Sequence, residues 1–376
     1  MVPDPLGIYV HVPFCSAICN YCNFNRALHD EALRHRYVDA VVAHIGREGD
    51  GAIADTVYFG GGTPSLLSPG EVGRILDRCA AAFALAADRE VTLEANPESV
   101  DPVRLRGWRA AGVNRISLGV QSFRDDELRR LGRLHSVARA RAALREIRDA
   151  GFDNVSLDLM MWLPGQSVGE WQESVESLVA EGPEHASLYL LEVYPNAPLR
   201  DEMARAGWSQ SPDEDAAQMY EWAMARLATC GYEPYEISNV ARPGRRARHN
   251  VKYWEDGAWL AFGPGAHGSR EGRRWKNVSL TADYVAAVLR GDDARVDVVD
   301  LSSDERAAEA LFMGLRLREG VDVARLRERY GIDARARYGE ALTWHVRAGL
   351  IELGDRRWAL TPRGRLLAND VMAVFV

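Results

Sequence analysis

The chain has 376 residues, 47% apolar and 27% charged, and carries a formal net charge of −8. Its length allows a barrel-sized domain plus a smaller module, its acidity argues against nucleic acid as the main partner, and no apolar run approaches a bilayer span, so an integral membrane protein is not expected. With no secretory signal ahead of its clustered thiols, the expected compartment is the reducing cytoplasm.

Residues 7–12 read as a buried strand that runs into Cys15-Ser16-Ala17-Ile18-Cys19-Asn20-Tyr21-Cys22. A closed zinc site needs four ligands, and no second CxxC or HxxxH stands nearby to complete one. A cubane iron–sulfur cluster takes one thiolate per iron, so Cys15, Cys19 and Cys22 would leave one iron open for an exchangeable ligand. Zinc and a redox-sensing thiol loop are the alternatives. A helix is expected over 31–45 and a short buried strand over 56–59; strands at 90–95, 115–120, 154–160 and 186–192 then alternate with helices such as 101–111 and 136–150. This pattern predicts six βα units on a parallel sheet, an incomplete barrel.

In such barrels ligands sit where strands end, and the unusual residues of this chain fall there. Gly60-Gly61-Gly62-Thr63 follows the second strand. Its glycines let the backbone approach a ligand and leave amides for its oxygens, while the missing Lys-Ser or Lys-Thr disfavours a nucleotide P-loop. Glu94 ends the third strand, where a carboxylate can pair a sulfonium or ammonium; the plainer reading is a charge at a helix N-terminus. Gln121 and Asp158 end otherwise apolar strands and need partners there. Arg133 alone reads as an ordinary surface arginine, and Cys79 and Cys230 as buried apolar residues in helices.

Beyond residue 240 the alternation fails, and 242–277, rich in Gly, Arg and aromatic residues, reads as an irregular lid. From residue 302, helices at 304–318, 323–330 and near 340–348, a hairpin at 351–360 and a last helix suggest a winged-helix-like module, here an interaction or structural cap. The expected division is 1–240 for the barrel, 241–300 for the lid and 301–376 for the module.

The spacing CxxxCxxC directly after a strand resembles the radical S-adenosylmethionine (radical SAM) superfamily. The joined set Tyr9-x-His11-x-Pro13-Phe14-Cys15, Cys19, Tyr21-Cys22, Gly-Gly-Gly-Thr, Glu94, Gly119-Val120-Gln121-Ser122-Phe123 and Asp158 resembles the oxygen-independent coproporphyrinogen III dehydrogenase family, from about residue 6 to the end. The resemblance implies an α/β fold: an incomplete (β/α)6 TIM-like radical SAM barrel with a C-terminal helical, winged-helix-like module. It also implies a [4Fe–4S] cluster on Cys15, Cys19 and Cys22, with S-adenosylmethionine contacts at Tyr9, Tyr21, Gly61, Gly62, Thr63 and Glu94. Gln121, Arg133 and Asp158 would contact a second adenosylmethionine. Two features depart from the dehydrogenases, which carry a fourth cysteine where Phe24 stands and a long segment ahead of the cluster. Both departures resemble the haem chaperone branch of the family.

His249-Asn250-Val251-Lys252-Tyr253-Trp254 matches the HNxxYW element of that branch. An imidazole can supply a nitrogen to iron and flat rings can stack on a porphyrin, so His249, Tyr253 and Trp254 are the candidate haem contacts. Arg242, Arg245, Arg246 and Arg248 are candidates for the propionates. The plain readings are a structural histidine and solvated loop arginines. In the family, the glycine turn at 263–268 closes over the adenosylmethionine, and His267 is a second candidate ligand. The expected function is a cytoplasmic haem chaperone, with a homodimer as a candidate assembly, that carries a [4Fe–4S] cluster with exchangeable adenosylmethionine. It would deliver haem to acceptor proteins, membrane-associated respiratory enzymes among them. The alternatives are coproporphyrinogen III dehydrogenase and a cluster-based redox-sensing interaction protein.

Overall fold

Along the inner strands apolar and polar residues alternate: Ile8, Val10 and Val12 against Tyr9 and His11, Val91 and Leu93 against Thr92 and Glu94, Leu157 and Leu159 against Ser156 and Asp158. A period of two sends the two sets to opposite faces of a sheet. In the computed structural model, which describes residues 4–376, the apolar set is buried in one core with the surrounding helices. The polar set faces inward, so the lumen holds Tyr, Ser, Asp and Glu where a full barrel is packed with branched apolar residues.

The six expected strands are present: β1 (Leu6–Val12), β2 (Ile53–Gly61), β3 (Ala84–Ala95), β4 (Arg115–Gln121), β5 (Val155–Met161) and β6 (His185–Leu190). They pair in parallel in that order. Between them run α1 (Glu31–Glu48), α2 (Pro69–Ala82), α3 (Pro102–Ala111), α4 (Val137–Asp149) and α5 (Val168–Glu181), and α6 (Asp213–Thr229) follows β6. Their ends are set by local chemistry. Asp30, Ser68, Asp101, Ser136 and Ser167 each accept backbone amides as N-caps, and the caps of α2 and α5 are closed by Glu71 and Glu170.

The stretch expected to be an irregular lid is regular. After the short strand β7 (Asn239–Ala241), which is antiparallel to β6, come α7 (Arg248–Trp254), β8 (Trp259–Phe262), β9 (His267–Arg270), β10 (Arg273–Asn277), α8 (Thr281–Arg290) and β11 (Arg295–Asp300). β8 lies parallel beside β1 and adds a seventh parallel strand, and β9 to β11 continue the sheet antiparallel. The four residues of β8 are too few for periodicity to reveal. With Glu233–Pro234 at the far edge the sheet has 12 strands among the described residues and stays open.

The C-terminal module has a separate core around Leu311, Leu326, Leu350, Trp358 and Phe375. It comprises α9 (Ser303–Gly314), a helix over Val323–Tyr330, and a small sheet of Val321–Asp322, Ile351–Leu353 and Arg357–Leu360. The helix expected near 340–348 is instead two short ones, Ala334–Tyr338 and Thr343–Arg347, separated at Gly339.

Candidate cofactor site at the barrel mouth

At the C-terminal ends of β1 to β6 lies a cavity of ≈ 450 Å³ lined by Cys15, Cys19, Cys22, Tyr21, Gly61, Gly62, Thr63, Glu94, Gln121, Arg133 and Asp158. Side chains dispersed over 144 positions of sequence therefore converge because each stands on the inner face of a strand or in the loop that follows one. Cys15 is held by a short parallel pair, Phe14–Cys15 with Ala27–Leu28, and the amide of His29 donates to its carbonyl at 3.0 Å. Asn25 ties the loop to the rest of the fold, donating to the carbonyls of Pro264 and Ser279 at 2.9 Å each.

The donor set suits an iron–sulfur cluster better than a single ion. Among the described residues no three His, Cys, Asp or Glu side chains converge as ligands of one metal ion. A cubane does not require that, because each thiolate binds a different iron and the sulfurs surround a volume. Burial pushes the Cys15 and Cys22 thiols above their ordinary range, so binding metal there releases protons. The glycine turn completes the cradle: a Cβ on Gly62 would lie 2.7 Å from the Phe14 carbonyl and 2.9 Å from Cys15 Sγ.

Two acids and one arginine give the cavity its polarity. Glu94 accepts from the Tyr58 hydroxyl at 2.7 Å and the Gly61 amide at 3.2 Å, and loss of water pushes its carboxyl up to about 7. Asp158 accepts from the hydroxyls of Ser117 and Ser156 at 3.3 Å, and burial raises its pKa too. Arg133 is no ordinary surface arginine. Its guanidinium donates to Asn96 Oδ1 at 2.7 Å, the Gly119 carbonyl at 3.0 Å and Cys19 Sγ at 3.5 Å. Gln121 has a left-handed φ of 68°, a conformation costly outside glycine, and its side chain lines the cavity. Asn96, Ser117, Met160 and Tyr189 also line it and were missed. For Asn96, Met160 and Tyr189 the position at a strand end was the available signal, and for Ser117 it was a polar residue at the lumen-facing period of an apolar strand.

Four expected contacts are not in the cavity lining. Tyr9 lies beneath it, its hydroxyl 3.1 Å from His11 Nδ1. His249 and Tyr253 pack at the opposite end, where α7 meets the starts of β1, β2 and β3. His249 is buried, with Nδ1 2.8 Å from Thr56 Oγ1 and Nε2 2.8 Å from the Tyr253 hydroxyl. His249 was expected as an axial or contact ligand of haem; in this conformation both of its ring nitrogens already have protein partners. Burial, and then Lys252, lower its pKa to about 3, so it is neutral. Trp254 lies under the Arg316 guanidinium at 4.5 Å, in the cleft between barrel and module.

The upstream arginines already have partners. Arg245 pairs with Asp153 at 3.5 Å, Arg246 with Glu319 at 2.7 Å and Arg248 with Asp55 at 3.1 Å, while Arg242 lies over the Tyr232 ring. The turn at 263–268 buttresses the cysteine loop through Asn25 and lines no part of the cavity. His267 is exposed.

A family model for the Radical SAM superfamily matches residues 9–178, and one for the HemN C-terminal domain matches 301–367. The chain is 40% identical to the heme chaperone HemW of Mycobacterium tuberculosis (strain ATCC 25618 / H37Rv), covering 99% of this chain and 95% of that one. It is 38% identical to the heme chaperone HemW of Escherichia coli (strain K12), covering 99% and 98%. Its fold matches the solved coproporphyrinogen III oxidase HemN of Escherichia coli with a TM-score of 0.88 over 100% of this chain and 91% of that one, at 22% identity.

Proposed function

The chain belongs to the HemW family of radical SAM proteins, and from that premise we propose that it is a cytoplasmic haem chaperone that binds haem and transfers it to acceptor proteins. The observation that carries the reading is likeness to heme chaperones along nearly the whole chain. Likeness to HemN at 22% identity speaks for the fold alone.

A radical SAM domain implies a [4Fe–4S] cluster and S-adenosylmethionine. Cys15, Cys19 and Cys22 would hold the cluster. Glu94, Gly61, Gly62, Thr63 and Tyr21 would hold the adenosylmethionine, and Gln121, Arg133 and Asp158 would serve a second molecule or the far side of the first. When bound, this pair supplies one-electron chemistry. The chain's own contribution would be to orient the cofactor: Glu94 would pair its cationic part, and Arg133 donates to the sulfur of Cys19.

The cavity mouth has an unusual rim for a polar lumen. Phe24 is 63% exposed, and Tyr189, Leu190 and Tyr194 are exposed around the same opening. A flat apolar macrocycle suits such a rim. Anaerobic reconstitution followed by haem titration in the Soret region, with transfer to an apo-acceptor, tests the proposal. Haem binding and transfer without coproporphyrinogen turnover are expected. Protoporphyrinogen production at enzyme-like rates would establish the dehydrogenase reading, and a cluster that binds neither haem nor adenosylmethionine would establish the sensor.

A further inference from the structure

Of the His249-Asn250-Val251-Lys252-Tyr253-Trp254 segment, the His249 side chain is buried against the inward-facing residues of β1 and β2, and it touches the residues that lead to the cofactor cavity. The His249 ring stacks on Tyr58, with centroids 5.1 Å apart and planes at 26°, and on Tyr9 at 6.2 Å and 28°. Thr56 and Tyr253 hold its two nitrogens at 2.8 Å each, one bond donated and one accepted, so the ring has no free rotation. The His249 amide donates to Glu90 at 3.3 Å, and Lys252 pairs with Asp55 at 2.7 Å, which fixes α7 against β2 and β3. Tyr58 carries the contact upward. Its hydroxyl donates to Glu94 Oε1 at 2.7 Å, while the Gly61 amide donates to the other oxygen at 3.2 Å.

We propose that His249 is a positioning residue for the adenosylmethionine cavity: by holding the Tyr58 ring in place it fixes the Glu94 carboxylate where the cationic part of the cofactor sits. The proposal rests on the reading of Glu94 as a cofactor contact. It assigns the buried histidine to a pocket on the far side of the lumen. A haem iron could reach His249 only by displacing Thr56 or Tyr253 and opening the barrel.

The test is equilibrium dialysis of labelled adenosylmethionine against the reconstituted full-length protein, with haem titration in parallel. Tyr58→Phe and His249→Ala should each weaken adenosylmethionine binding about tenfold, the size expected for one hydrogen bond to a charged group. Because both act through one contact, Tyr58→Phe with His249→Ala should be no weaker than either alone. His249→Gln, which keeps a donor and an acceptor, should recover part of the loss and carries the test if His249→Ala does not fold. Additive losses, or undiminished binding in both single variants, would overturn the proposal. So would loss of haem affinity in His249→Ala with adenosylmethionine binding intact. Glu94→Gln separates the two levels: if it binds adenosylmethionine as wild type does, the reading of Glu94 fails and takes the proposal with it, whereas weakened binding in Glu94→Gln alone rejects only the role of His249.

Discussion

Arg133 donates a guanidinium N–H to the sulfur of Cys19 at 3.5 Å, and is held there by Asn96 and the Gly119 carbonyl. A hydrogen bond from a cation to a thiolate favours the reduced, more negative cluster, so it raises the reduction potential. Arg133→Leu should lower the midpoint potential of the reconstituted protein by on the order of 60 mV, the one-electron equivalent of a charge-assisted hydrogen bond. An electron paramagnetic resonance titration reads the shift, and iron and sulfide content show whether the cluster assembled. An unchanged potential in a fully loaded protein rejects the coupling.

The proposed contact of Glu94 with adenosylmethionine predicts that binding depends on pH. Its carboxyl is pushed up to about 7, chiefly by removal from water. A cationic ligand binds the ionised form, so binding displaces a proton below that value and affinity should rise with pH from 6 to 8, levelling above about 7. Dissociation constants at three pH values check this, and Glu94→Gln should flatten the profile.

Burial holds His44 neutral, with its pKa lowered to about 4 and Arg47 and Arg295 adding to the effect. The folded state therefore binds fewer protons than the unfolded one between about 6.5 and 4, and the stability this neutral histidine retains at neutral pH is lost as pH falls through that window, at up to about 1.4 kcal/mol per pH unit. Glu94 acts with the opposite sign, since its raised pKa favours the fold at lower pH. A difference measurement separates them. His44→Gln should be less stable at pH 7 yet show a shallower fall toward pH 5 in thermal or urea unfolding, and parallel curves would count against the assignment.

Gly62 and Gly73 make a matched pair. A Cβ on Gly62 would meet the Phe14 carbonyl at 2.7 Å and Cys15 Sγ at 2.9 Å, whereas on Gly73, in α2, the nearest atom is the Ala111 Cβ at 3.8 Å. Gly62→Ala should displace the cysteine loop and reduce iron and sulfide uptake at least severalfold. Gly73→Ala should leave uptake unchanged and stabilise α2 by about 0.5–1 kcal/mol. Full loading of Gly62→Ala would show that the turn does not shape the cradle.

The sequence by itself determined which residues share a face of each strand, and it pointed to the strand ends, where the cavity lies. Alternation along Tyr9, Thr92 to Glu94 and Ser156 to Asp158 is a local property with a period of two, and strand ends are marked by the glycines and prolines that follow them. The thiol spacing was equally legible. What only the tertiary structure decided was depth and partnership. His249 reaches Thr56 across 193 residues of sequence, and Arg133 reaches Asn96 across 37 and Cys19 across 114. No periodicity carries such pairings. Whether a seven-residue helix turns its histidine outward to a ligand or inward onto Tyr58 depends on where the returning chain meets the sheet, and that was set by Glu90 receiving the helix amides and β8 pairing with β1.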